Sequence, residues 1–147
     1  MGRRGAADAA SARGAIGLIA FLDTSVIIRH LTGDPPEQAA RATAALAGAE
    51  RLLLTDLVVA ECVYVLESFY EVGRSRIAEL MRAAIALPSI GVIDASLLRR
   101  ALEVYEHDRL DFAEAYLVAQ AEATGVGAVL TFDRAVDRVA SVERIAP

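Results

Sequence analysis

The chain has 147 residues, 55% of them hydrophobic and 24% charged, with a formal net charge of −5 at pH 7. That length suits one domain with a proper core rather than two, and no apolar run approaches the roughly 18–20 residues needed to cross a bilayer. The single cysteine, Cys62, excludes an intrachain disulfide and fits a reducing cytosol.

Every permanently basic residue is arginine. Bulk charge therefore opposes nucleic-acid binding, although a few converging guanidinium groups can still grip phosphate bidentately. The opening "MGRRGAADAASARGA" is basic, rich in Ala and Gly, and without periodicity. It shares only its arginines with a signal peptide, because "IGLIAFL" runs into Asp23 with no cleavage-site pattern. Residues 1–16 are expected to be a flexible extension, and 17–147 a single domain.

"IGLIAFL" reads as a strand, and its continuous apolar character predicts burial on both faces. In "DPPEQAARATAALAG" Asp34 can cap a helix, Pro35 suits its first turn, Glu37 completes a capping box and Gly48 stops it. "RLLLT" is a second short strand, and "DLVVAECVYVLESFY" a helix apolar nearly all round, expected to be deeply packed. After Gly73, Ser75 can cap "RIAELMRAAIAL", which ends before Pro88. "IGVID" is a third strand, and "ASLLRRALEVYEHD" and "DFAEAYLVAQAEATG" are helices, the latter closed by Gly125. "VGAVLTF" is a fourth strand and "VERIA" a weak fifth. Strands alternating with helices predict an α/β domain, its parallel sheet of four to five strands flanked by helices on both faces.

In such sheets ligands bind outside the carboxyl ends of the strands, and Asp23 and Asp133 stand at two of those ends. Glu61 interrupts an apolar helix, where a carboxylate needs a metal, an arginine partner or a narrow solvent stripe. Asp111 and Glu114 lie three apart on one helix face and equally match a capping box. Asp23 and Asp133 equally match helix N-caps. Each acid has an innocent explanation, yet in a doubly wound sheet these positions can converge at one crevice. Clustered carboxylates repel one another until a divalent cation neutralises them, and hard oxygen ligands select Mg²⁺, with Mn²⁺ able to substitute. Such an ion can activate water and clamp a phosphodiester.

Other chemistries fit less well. His30 and His107 both read as surface residues, and Cys62, with no histidine nearby to activate it, reads as core. No phosphate-binding glycine loop or zinc spacing is present. A haloacid-dehalogenase-like phosphatase would require a second Asp where Ser25 stands.

The segments "FLDTSVI", "VVAECVYVL", "DFAEAYLVAQA" and "LTFDRA" together resemble the PIN-domain ribonucleases, most closely the VapC-type toxins of bacterial toxin–antitoxin pairs. The resemblance spans Ile19 to the end of the chain. It implies that Asp23, Glu61, Glu114 and Asp133 are metal-site acids, that Asp111 is an additional one, and that Thr24, Ser25 and Thr131 are hydroxyls beside the metal. Glu114 departs from the family's common Asp, and the extra methylene can pass ligation to Asp111. The implied activity is Mg²⁺-dependent hydrolysis of RNA phosphodiesters by metal-activated water, leaving a 5′-phosphate and a 3′-hydroxyl. The implied setting is a cytoplasmic homodimer inhibited by a small VapB-like antitoxin. Arg29, Arg109 and Arg134 are the arginines best placed to hold RNA. The alternative is a non-catalytic PIN-like module, disabled at Glu114, that binds RNA or protein.

Overall fold

The computed structural model describes residues 17–147; the extension expected over 1–16 lies outside the described residues. Contacts divide the chain into two compact units. The first comprises residues up to Cys62 together with Ala83–Ile93, and the second Val63–Arg82 with Asp94–Pro147.

In the first unit, strand β1 (Ile19–Phe21) pairs in parallel with β2 (Arg51–Leu53), which pairs in parallel with β3 (Ile90–Gly91). Beyond β1 the Leu22 amide still donates to the Leu53 carbonyl at 2.9 Å, so the ladder carries the chain up to Asp23 before helix α1 (Thr24–Thr32) begins. Gly33, at φ +71°, ends α1 in the left-handed region that glycine enters without a Cβ penalty. Helix α2 (Pro36–Gly48) follows, and Ile27 and Ile28 of α1 are buried along with Ala39, Ala42 and Leu46 of α2.

Three expectations change here. Asp34 does not cap α2: Pro35 takes the cap position without a side-chain bond, which leaves Asp34 one residue outside reach of the first free amides. The strand β1 is not buried on both faces, since Ile19 and Phe21 are 60% and 74% exposed. Strand periodicity of two sends those side chains to one face, and an apolar composition does not say which faces are covered. Helix α3 (Asp56–Ser68) is likewise one-sided. Val59, Cys62, Val63 and Leu66 are fully buried at helical spacing, whereas Leu57 and Tyr64 are 78% and 67% exposed.

Helix α4 (Arg74–Ile85), which belongs to the second unit up to Arg82, begins one residue before Ser75. Ser75 therefore does not cap it; its hydroxyl donates to Glu106 at 2.8 Å instead. Asp94 caps helix α5 (Ala95–Glu103) by accepting from the Leu97 amide at 3.0 Å, and the helix continues as a wider π turn to Asp108. Arg109, at φ +60°, breaks it off. Arg74 secures this turn: its guanidinium lies 4.3 Å over the Tyr105 ring and donates to the carbonyls of Tyr105 and Leu110 at 2.8 and 2.5 Å. Helix α6 (Phe112–Thr124) follows and stops at Gly125, φ +76°. Strands β4 (Ala128–Leu130) and β5 (Glu143–Ile145) pair in parallel, joined through a 3₁₀ turn at Arg134–Arg138.

All five expected strands are present and every ladder is parallel, as an α/β fold requires. Their hydrogen bonds link them as a three-stranded and a two-stranded set, where one sheet of four to five strands was expected. Among the described residues no helix is long and apolar enough to cross a membrane.

Candidate metal-binding acids

The first unit holds Asp23 and Glu61. Asp23 has extended backbone and caps α1, its Oδ2 accepting from the Ser25 amide at 3.1 Å and the Ser25 hydroxyl at 2.7 Å. These bonds, the hydroxyl's foremost, hold the Asp23 carboxyl below its ordinary range, and the Arg29 charge adds to the effect. The capping explanation is therefore correct for Asp23. It does not exclude chemistry, because the cap leaves the carboxylate ionised and solvent-exposed at the end of a strand.

Glu61 lies on the exposed side of α3, so it does not interrupt a buried face. Among the described residues it forms no ion pair with an arginine. Its Oε2 accepts a 2.9 Å hydrogen bond from the hydroxyl of buried Thr24, which ties the start of α1 to α3 and orients the carboxylate. Cys62 registers the proximity of both acids. Its thiol is pushed up to about 12, first by burial and then by the negative charges of Glu61 and Asp23. Such a thiol is inert and belongs to the core, as expected.

The second unit holds Asp111, Glu114 and Asp133. Asp111 occupies the N-cap position of α6 but makes no side-chain capping bond. The reciprocal capping box is thus not formed. The half-buried Glu114 has its Oε2 buried without a hydrogen-bond partner. Burial raises its carboxyl above the ordinary range, and the charges of Asp133 and Asp111 raise it further, against a hydrogen bond from Thr131. The Thr131 hydroxyl also accepts from the Asp133 amide at 3.0 Å, so one side chain links two of the acids. Asp133 caps the 3₁₀ turn with Oδ1, accepting from the Ala135 amide at 2.9 Å.

In the second unit the chemistry suits a hard divalent cation: oxygen donors only, the charges of Asp111 and Asp133 acting on Glu114, and one buried Glu114 oxygen lacking a partner. Among the described residues no three His, Cys, Asp or Glu side chains form a ready-made cage. The five acids fall into the two groups above, Asp23 and Glu61 in the first unit and Asp111, Glu114 and Asp133 in the second.

The histidines stand apart from this chemistry. His30 pairs through Nδ1 with the Thr43 hydroxyl at 2.8 Å, and His107 is exposed 3.4 Å from Glu106. Of the arginines singled out, Arg29 donates to the Ser25 carbonyl at 3.2 Å. The Arg109 carbonyl accepts from Arg138 at 3.0 Å, and Arg134 is exposed beside Asp133.

A family model described as the PIN domain matches residues 20–142. A search of the curated proteins finds no match. Among solved structures the chain is similar to VapBC2 from Rickettsia felis bound to a DNA fragment from their promoter. Sequence identity there is 14% and the TM-score 0.35, over 88% of this chain and 98% of that one. PIN domains are generally nucleases. The family match runs from β1 through the Asp133 turn into the approach to β5, and takes in all five acids; the chain belongs to the PIN domain family.

Proposed function

We propose that the chain is a Mg²⁺-dependent endoribonuclease of the VapC kind, acting as the toxin of a toxin–antitoxin pair. Asp23, Glu61, Glu114 and Asp133 are its metal-site acids, with Asp111 as an additional one. The observation that carries this reading is Glu114, a half-buried carboxylate with an unpartnered buried oxygen beside two further acids. The Asp111 side chain makes no capping bond, so the reciprocal capping box that would explain the pair structurally is not formed.

When bound, Mg²⁺ or Mn²⁺ supplies a Lewis acid that lowers the pKa of water and neutralises charge on a phosphodiester. The chain's own side chains set the conditions for that chemistry. Ser25 keeps Asp23 ionised, Thr24 aims Glu61, and Thr131 joins Glu114 to the Asp133 turn. The resemblance of the four sequence segments to VapC-type toxins supports a cytoplasmic homodimer held inactive by a small VapB-like antitoxin.

The test is cleavage of a mixed-sequence RNA by purified protein, with Mg²⁺, with Mn²⁺ and with EDTA. Fragments carrying 5′-phosphates that appear only with metal are expected. Equal RNA binding with and without metal, and no cleavage in either, would favour the non-catalytic module.

A further inference from the structure

Arg29 of α1 and Arg41 of α2 line one open groove of about 440 Å³, whose remaining walls are Gln38 and the apolar Val26, Ala42 and Ala45. No carboxylate lines it. Among the described residues neither arginine forms an ion pair. Arg29 donates through one terminal nitrogen to the Ser25 carbonyl, while its Nε is buried and has no hydrogen-bond partner. A buried donor on a charged group that is left unsatisfied is costly, so a fold that keeps one is poised for an acceptor from outside. By contrast Arg76, Arg82, Arg100 and Arg144 pair with carboxylates.

We propose that this groove between α1 and α2 is a subsite for an RNA backbone phosphate, gripped by Arg29 and Arg41 with the Gln38 amide as a further donor. The inference deepens the ribonuclease reading and rests on it. Two guanidinium groups supply planar donors that match phosphate oxygens, and a groove without acids does not repel the strand. The location favours RNA over an acidic protein segment. Arg29 bonds the Ser25 carbonyl, and Ser25 in turn holds Asp23, whose carboxyl feels the Arg29 charge. The subsite also gives a protein of net charge −5 a local foothold on a polyanion.

The test measures fluorescence anisotropy of a labelled 12-nucleotide mixed-sequence RNA in EDTA, over a salt series, so that neither metal nor cleavage enters. Variants are Arg29→Gln and Arg41→Gln; Arg99→Gln, an exposed arginine of α5, controls for bulk charge. Arg41 is exposed, so its variant keeps the fold even if Arg29→Gln does not. Each groove variant is expected to weaken binding roughly 3–10-fold and to reduce the slope of log K against log salt by about 0.7, one phosphate contact on a single strand. The control should change neither. Unchanged affinity and slope in Arg41→Gln would overturn the proposal. So would unchanged RNA binding with weakened binding of a labelled Glu-rich 12-residue peptide, which would assign the groove to an acidic protein partner. Cleavage assays on the same proteins with Mg²⁺ separate the two readings. Arginine-dependent binding without any cleavage leaves the subsite standing and removes the ribonuclease. Cleavage with unchanged KM and binding in Arg41→Gln does the reverse.

Discussion

Replacing Glu114 by Gln separates a ligand from a structural residue, because the two roles predict opposite changes in metal-free stability. In the folded chain the Glu114 carboxyl is raised by burial and by the charges of Asp133 and Asp111. The folded state therefore holds its proton more tightly than the unfolded state does. Stability falls as pH rises from the ordinary glutamate value through the raised one, and the whole cost is present above it. A buried oxygen without a partner costs about 1–3 kcal/mol, and for a half-buried residue the lower end of that range applies. Gln never ionises, so at pH 7 in EDTA the variant loses the charge part of that cost but keeps a buried polar amide atom in the same place; it should be more stable by less than about 1 kcal/mol, or at most roughly 2–4 °C in Tm for a chain of this size. The gap should close as pH drops below the ordinary glutamate range. With Mg²⁺ present, RNA cleavage should fall roughly a hundredfold, which is about 2.7 kcal/mol of barrier. Thermal unfolding in EDTA across pH and cleavage at matched Mg²⁺ are the two assays. A variant that melts below wild type in EDTA and cleaves RNA at full rate would refute the reasoning and return Glu114 to a structural role.

Asp23→Asn should behave in the opposite sense. The Asp23 carboxyl is held low by Ser25, so its stabilisation is present above the ordinary aspartate value and lost as pH falls through the depressed one. The variant should melt slightly below wild type at pH 7 in EDTA, the difference vanishing on acidification, while cleavage is lost; a Tm series against pH reads this. Arg74→Met should lower stability by about 2–4 kcal/mol, since it removes two charge-assisted bonds and the stack on Tyr105. Arg74→Lys should recover only part of that, because an ammonium cannot serve both carbonyls and the ring together; urea titration measures both. Adding Mn²⁺ or Mg²⁺ at about 100 times its Kd should stabilise the wild type by about 2.7 kcal/mol and Glu114→Gln by clearly less, as followed by differential scanning calorimetry.

The order of strands and helices was legible from the residues alone, because hydrophobic periodicity and local punctuation are properties of short segments. Gly125 closing α6, the helix over "ASLLRRALE" and the strands around Asp23 and Asp133 all lie where the pattern puts them. The positions of Asp23 and Asp133 just beyond core strands were legible for the same reason: a carboxylate there stands out against apolar neighbours. Which face of a strand or helix is covered was not legible, because coverage depends on residues distant in sequence. Ile19, Phe21, Leu57 and Tyr64 look like core and are exposed, and Glu61 looks buried and is not. Capping showed the same limit. Asp34 and Ser75 match caps and make none, Asp23 and Asp133 match caps and make them, and Asp111 holds the position without the bond. A motif states which hydrogen bonds are available, whereas the helix start that packing selects states which are made. Arg41 carries no local signal, since an arginine on a polar helix surface is unremarkable in sequence. Only the packing of α2 against α1 puts it in one groove with Arg29. Local chemistry thus follows from neighbours along the chain, while burial, partnership and shared grooves follow from neighbours in space.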